Sequence, residues 1–177
     1  GLGGIGSSAL LMASHTSGLE KIIAVDVNDE KLKLAGELGA NYTINAREED
    51  VVKKIYGITS GEGVDYAIEA SGVREAMEQA YNSANKNHGK VILSGNLGGG
   101  RCIEIDPYHL LFGKTLTGTG EHNTNPDADF PVYRNLYINN KIPFDKLVSR
   151  KYGLEQINEA LENLSRGEVF RSLIDFS

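Results

Sequence analysis

The feature that most constrains this chain is a glycine pattern followed at once by a helix, a strand and a carboxylate. Gly1-Leu2-Gly3-Gly4-Ile5-Gly6 matches G-x-G-x-x-G. Alone, such a pattern is a common glycine-rich turn. Its surroundings narrow it. Gly6 opens an apolar, small-residue stretch at helical spacing over residues 5–16, a β-branched run (KIIAV) follows at 21–25, and Asp26 ends that run twenty residues after Gly6. That order and spacing are those of a dinucleotide-binding unit. Gly1 permits a tight turn out of a strand, Gly3 lets backbone approach a pyrophosphate, and Gly6 lets the helix pack closely on the sheet. The helix start presents free N–H groups and a partial positive charge to phosphates. Asp26 can accept from both ribose hydroxyls of an adenosine. It is followed by Val27 and Asn28 rather than Arg, so a 2′-phosphate would meet uncompensated negative charge. NAD is therefore expected over NADP. The blander alternative for Asp26 is a surface carboxylate capping the next helix.

The rest of the chain keeps the alternation. Helices are predicted at 28–38, 51–58 and 74–84, and strands at 42–44, 64–68 and 90–93. Strands alternating with helices of about ten residues predict parallel βαβ units with right-handed crossovers. After Leu97 the rhythm changes. A glycine turn at 98–100 leads to a predicted strand at 101–105, a short helix at 107–112 with Pro107 in its first turn, and an edge strand at 116–119. From Glu121 the chain reads as a tail with helices at 131–139 and 154–165 and strands at 147–151 and 171–176. The fold expected is α/β, a Rossmann-type doubly wound parallel sheet over residues 1–120, with a C-terminal α+β tail over 121–177. In the strand order 3-2-1-4-5-6, the first strand would immediately precede Gly1 and lie between 21–25 and 64–68. The chain opens without Met inside the motif, so a truncated start lacking that strand is expected.

Composition excludes other classes. A net charge of −6 argues against nucleic-acid and anionic-membrane partners, which need clustered cations. The longest apolar run, near 9–13, is far too short to span a bilayer. Cys102 is the single cysteine, so neither an intrachain disulfide nor a thiolate metal cluster can form. A reducing, cytoplasmic setting is expected. His15, His88, His109 and His122 lack ligand spacing, and none is read as metal-bound. His122, just past the expected nicotinamide pocket, is the one histidine with a candidate functional role.

Read in order, GLGGIG, AVDVNDEKLKLAGELGA, GVDYAIEASG, GKVILSGNLGG and FRSLIDF resemble the medium-chain dehydrogenase/reductase family, specifically its zinc-type alcohol dehydrogenases. The resemblance covers essentially the whole chain. It implies a pyrophosphate-approach loop at Gly3, Gly4 and Ile5, and a ribose acceptor at Asp26 with Lys31 as its cationic companion. It further implies that Ser71 lies near the nicotinamide-side ribose and that Gly95 and Asn96 present backbone to the nicotinamide end. Thr119 and Gly120 would edge the same pocket, and Arg171 would reach the pyrophosphate. An exposed helix lysine is the plain alternative for Lys31, and a surface ion pair for Arg171.

The departures also carry expectations. In the family the catalytic zinc is held by Cys and His residues upstream of the glycine motif, and an optional structural zinc by four closely spaced cysteines. Neither set occurs here, so zinc is expected only in a missing catalytic part. The tail would pack on that part and could otherwise be loosely held. The parent would transfer hydride between NAD and an alcohol or aldehyde/ketone, while this portion binds and orients the cofactor without catalysing alone. The alternatives are a zinc-free quinone-type reductase of the same superfamily and a non-enzymatic NAD-sensing module. A homo-oligomer formed through residues 101–119 is also expected.

Overall fold

A computed structural model describes residues 1–120, 124–139 and 142–177. Its first half is strand and helix in alternation: α1 (Gly4–Ser14), β1 (Ile23–Asp26), α2 (Asp29–Glu37), β2 (Tyr42–Asn45), α3 (Val51–Ile58), β3 (Tyr66–Glu69), α4 (Arg74–Ser83) and β4 (Lys90–Leu93). A 3-10 turn (Pro107–Phe112) leads into β5 (Thr115–Gly118). The tail contributes α5 (Pro126–Ile138), β6 (Arg150–Gly153), α6 (Ile157–Ser165) and β7 (Ser172–Asp175).

Local chemistry sets many of these limits. The Asn28 side chain accepts from the N–H groups of Glu30 and Lys31, and Asp29 and Glu30 sit in the electropositive first turn of α2. Asp50 caps α3 by accepting from the Lys53 N–H at 3.0 Å. Asp106 caps the 3-10 turn through the Tyr108 N–H, and Gly113, at φ 108°, ends it in the left-handed region where a side chain would be strained.

Every ladder is parallel. β1 pairs with β2 from Ile23↔Tyr42 to Asp26↔Asn45, and β3, β4 and β5 pair in that order, with Tyr66↔Lys90 and Lys90↔Thr115 at one end. β6 pairs with β7. The pairs β2-β1 and β3-β4-β5 correspond to 3-2 and 4-5-6 of the order expected from sequence. No ladder joins β1 to β3 among the described residues. Between their carboxyl ends lies backbone of Gly1 and Leu2: the Leu2 N–H donates to Asp26 Oδ2 at 2.6 Å, and Gly1 packs against Ser71.

Leu2, Leu10, Leu11, Leu32 and Ala35 form one core cluster, joined from the tail by Ile142 and Leu147. Full burial of side chains of this size contributes about 1.5–3 kcal/mol each, enough to hold the tail against α1. A second cluster centres on Ile44, Val51 and Ile55, and a third on Tyr81, Ala84 and Val91, with Ile105 and Leu116 packed against it.

Three expectations are corrected. Residues 101–105 form no strand. The Glu104 N–H is taken by the Glu78 carboxylate at 2.8 Å, and the Asp106 carbonyl by the Tyr81 hydroxyl at 2.7 Å, so side chains of α4 hold this segment in place of a ladder. α5 begins at Pro126 rather than Pro131, because Pro126 suits a first turn that needs no N–H and Asp127 and Asp129 complement its dipole. The strand predicted at 147–151 starts at Arg150, after a 3-10 turn over Phe144–Leu147 that buries Leu147.

Candidate functional site

The carboxyl ends of β1 and β3 face each other across the start of α1, and most of the predicted site residues meet there. Gly3 is the N-cap of α1, extended at φ −71° and ψ −166°, with no side-chain cap and no acidic residue in the first turn. The N–H groups of that turn are therefore free to meet an anion. A Cβ on Gly6 would collide with the Gly1 carbonyl oxygen, and one on Gly1 would lie 2.6 Å from the Ser71 Cβ. A Cβ on Gly3 would meet nothing within 4 Å, so packing inside the chain does not demand glycine there. The Ile5 side chain is exposed, and only its backbone belongs to the turn.

Arg171 comes from the opposite end of the chain. Its Nη2 lies 3.0 Å from the point a Cβ on Gly4 would occupy, which places a guanidinium at the start of α1. The Ser149 hydroxyl accepts from the Phe170 N–H at 2.7 Å and the Arg171 N–H at 3.3 Å, fixing this stretch before β7. Lys31 points the same way. Its Nζ is 5.8 Å from the Phe170 ring centroid and 3.5 Å from the Cβ position of Gly167.

Asp26 is buried and well held. Oδ2 accepts from the Leu2 N–H, and Oδ1 accepts from the N–H groups of Val27 at 2.8 Å and Asn28 at 3.0 Å. The helix cap is Asn28, not Asp26.

Across the glycine loop, Ser71 and Gly72 turn over the end of β3. The turn is gathered on Glu69, whose Oε1 accepts from the Ser71 N–H at 2.6 Å, the Ser71 hydroxyl, and the Gly72 N–H at 3.1 Å. Gly95 and Asn96 follow β4 and press onto this turn. A Cβ on Gly95 would collide with the Gly72 nitrogen, and one on Gly72 would lie 2.5 Å from the Asn96 carbonyl oxygen. Thr119 extends the β4–β5 pairing through its N–H to the Leu93 carbonyl at 3.0 Å, and Gly120 is exposed beside it. His122 lies outside the described residues.

Sequence reasoning missed Glu69. Its signal was available: an acidic residue closing an otherwise apolar strand, in the place that Asp26 holds on β1. No group of three or more His, Cys, Asp or Glu side chains that could hold a metal ion occurs among the described residues. The residues described here therefore do not fit a zinc site. A shallow concavity lined by Glu49, Asp50, Lys53 and Lys54 shares no residue with the cleft.

A parallel sheet, a glycine-started helix at its carboxyl end and a strand-end carboxylate define a dinucleotide-fold domain. Residues 4–136 match the zinc-binding dehydrogenase family, and the chain belongs to that family. It is 34% identical to the alcohol dehydrogenase class-2 isozyme 2 of Oryctolagus cuniculus over 98% of this chain and 46% of that protein. The benzyl alcohol dehydrogenase of Acinetobacter calcoaceticus superposes with a TM-score of 0.93 at 35% identity, covering 100% of this chain and 48% of that one. A protein described as a zinc-binding dehydrogenase from Sinorhizobium meliloti, solved bound to NADP, superposes with a TM-score of 0.82 at 28% identity, over 97% of this chain and 49% of that one. The chain spans about half the length of these relatives. Among the described residues, no helix is long and apolar enough to cross a membrane.

Proposed function

We propose that this chain binds NAD across the carboxyl ends of β1 and β3 and orients it for hydride transfer to or from an alcohol or carbonyl substrate. The observation that carries this reading is the Arg171 guanidinium set beside the uncapped, glycine-built N-terminus of α1. Two independent sources of positive potential there converge where a pyrophosphate would lie. NAD fits the residues present. Asp26 closes the adenosine side with a carboxylate that has acceptor capacity left on Oδ2, and Ser71, Gly95 and Asn96 close the other side with polar backbone. When bound, NAD supplies the hydride acceptor. The chain's own residues bind it, neutralise its phosphates and hold its two halves apart. A related protein binds NADP. NAD is preferred here because Asp26 is followed by Val27 rather than Arg, leaving a 2′-phosphate against a buried carboxylate.

Replacing Asp26 with Ser and Val27 with Arg tests this in the protein that carries the chain. Charge-assisted hydrogen bonds contribute about 1.5–3 kcal/mol, so roughly a tenfold to hundredfold loss of NAD affinity is expected, together with improved NADP binding. Titration of both variants with both cofactors reads it, and unchanged NAD affinity rejects the ribose role of Asp26.

Residues 101–119 are proposed as the face through which copies associate. Among the described residues β5 pairs only with β4, and beside it Leu111 is 80% and Phe112 54% exposed. A free strand edge flanked by apolar side chains favours a self-complementary contact. A monomer at micromolar concentration in analytical ultracentrifugation would reject it.

A further inference from the structure

The cofactor reading leaves Glu69 without a role, although it is one of the most buried charged side chains described, at 2% exposure. A carboxylate in such a place is costly unless its oxygens are filled by donors. Here they are filled by its own loop. Oε1 takes the Ser71 N–H, the Ser71 hydroxyl and the Gly72 N–H, and Oε2 takes a longer share of the Gly72 N–H at 3.3 Å. No Lys or Arg pairs with it among the described residues. The same residue also holds the neighbouring loop through its backbone, because its carbonyl accepts from the N–H groups of Ser94 at 2.7 Å and Gly95 at 3.0 Å. Gly95 lies so close that a Cβ there would come within 2.5 Å of Glu69 Oε2. One residue thus ties together the two turns that end β3 and β4.

We infer that Glu69 is a positioning residue: its buried carboxylate sets the backbone of 71–72, against which Gly95 and Asn96 pack, to receive the mononucleotide half of the cofactor that lies away from Asp26. This rests on the cofactor reading above. A dinucleotide fold binds one mononucleotide on each side of the point where strand order reverses, so the half remote from Asp26 lies over β3 and β4. The role needs an acceptor on every side. Glutamine has the same shape but offers two donors at one end, which would face either the Ser71 or the Gly72 N–H. The turn would then shift by the few tenths of an ångström that oriented binding does not tolerate.

The test compares NAD with ADP, which carries the adenosine and pyrophosphate alone, by calorimetric titration of the protein carrying this chain. For Glu69→Gln the expected result is about tenfold weaker NAD binding with ADP affinity held within about twofold. Ser71→Ala, which removes the hydroxyl bond to Glu69 together with the bond that hydroxyl accepts from the Val73 N–H at 3.2 Å, is expected to move NAD in the same direction by a few-fold and serves if Glu69→Gln does not fold. Unchanged NAD affinity in the variants overturns the inference. Equal losses of NAD and ADP also overturn it, since they mark a residue that supports the fold rather than one half of the site. If the unsubstituted protein bound neither NAD nor ADP, the cofactor reading itself would fall.

Discussion

Asp26 and Glu69 stand in matching places on the two sides of the glycine loop. Each is the last residue of its strand, each is buried, and each accepts N–H groups from the residues that follow it. Their oxygens are used differently. Asp26 gives Oδ1 to its own turn and one position on Oδ2 to Leu2, which belongs to another segment. Glu69 is longer by one methylene and folds back over its own turn, with three donors converging on its two oxygens and the Gly72 N–H shared between them. A carboxylate has about four acceptor positions and three donors reach each acid, but the open side of Glu69 Oε2 is covered by Gly95, whose Cβ position lies 2.5 Å from it. Burial and charge alone do not distinguish a binding acid from a positioning acid. What covers the remaining acceptor position does.

The strongest way to break this comparison is to remove what stands between the two acids. Gly6→Ala would drive a Cβ into the Gly1 carbonyl, backbone against backbone, where neither side can yield. Overpacking of this kind costs typically about 1–3 kcal/mol and here is expected at or above the upper end. NAD and ADP binding should fall together, unlike the one-sided loss expected at Glu69. Denaturant unfolding with parallel titrations checks both, and a variant of unchanged stability would mean the loop is not held as described.

The smallest effect is expected at Lys114, a buried charge at the opposite end of the sheet and so a control for burial itself. Its Nζ donates to the Ala84 carbonyl at 3.1 Å and lies 4.1 Å from the Tyr81 ring centroid, while burial, with a lesser contribution from Lys86, pushes the ammonium below its ordinary pKa. Lys114→Met should leave NAD affinity unchanged and alter stability by less than about 1 kcal/mol, relief of desolvation offsetting the lost hydrogen bond and ring contact. Between its folded value and the ordinary 10.5 the unfolded chain holds more protons at this site, so stability contributed by Lys114 rises with pH across that alkaline interval. The Met variant should lack that rise. Unfolding curves at neutral and alkaline pH decide it, and an identical pH response in both proteins would reject the assignment.

What the sequence made legible was whatever local chemistry decides. The bounds of α3 and the 3-10 turn follow from neighbours such as Asp50 and the Asp106-Pro107 pair. Residues 101–105 misread as a strand because the groups that take their backbone, Glu78 and Tyr81, lie far off in sequence on α4. The glycine loop and Asp26 were readable by spacing. Arg171 was reached through family resemblance alone, since no local pattern ties it to Gly4. Glu69 was readable as a strand-end acid like Asp26, but the fold of its side chain back over its own turn is not encoded by spacing.

The placement of Arg171 also sets an order of events during synthesis. Chains emerge amino end first, at about 5–20 residues per second, and early segments begin to fold before later ones exist. The α1 turn, Asp26 and the Glu69 loop are all translated before the tail. The guanidinium beside Gly4 cannot arrive until the stretch leading into β7 is being made. A nucleotide that depends on that cation cannot act as an early template for folding here, and it meets its full site only once the stretch around Arg171 has come back to the glycine loop.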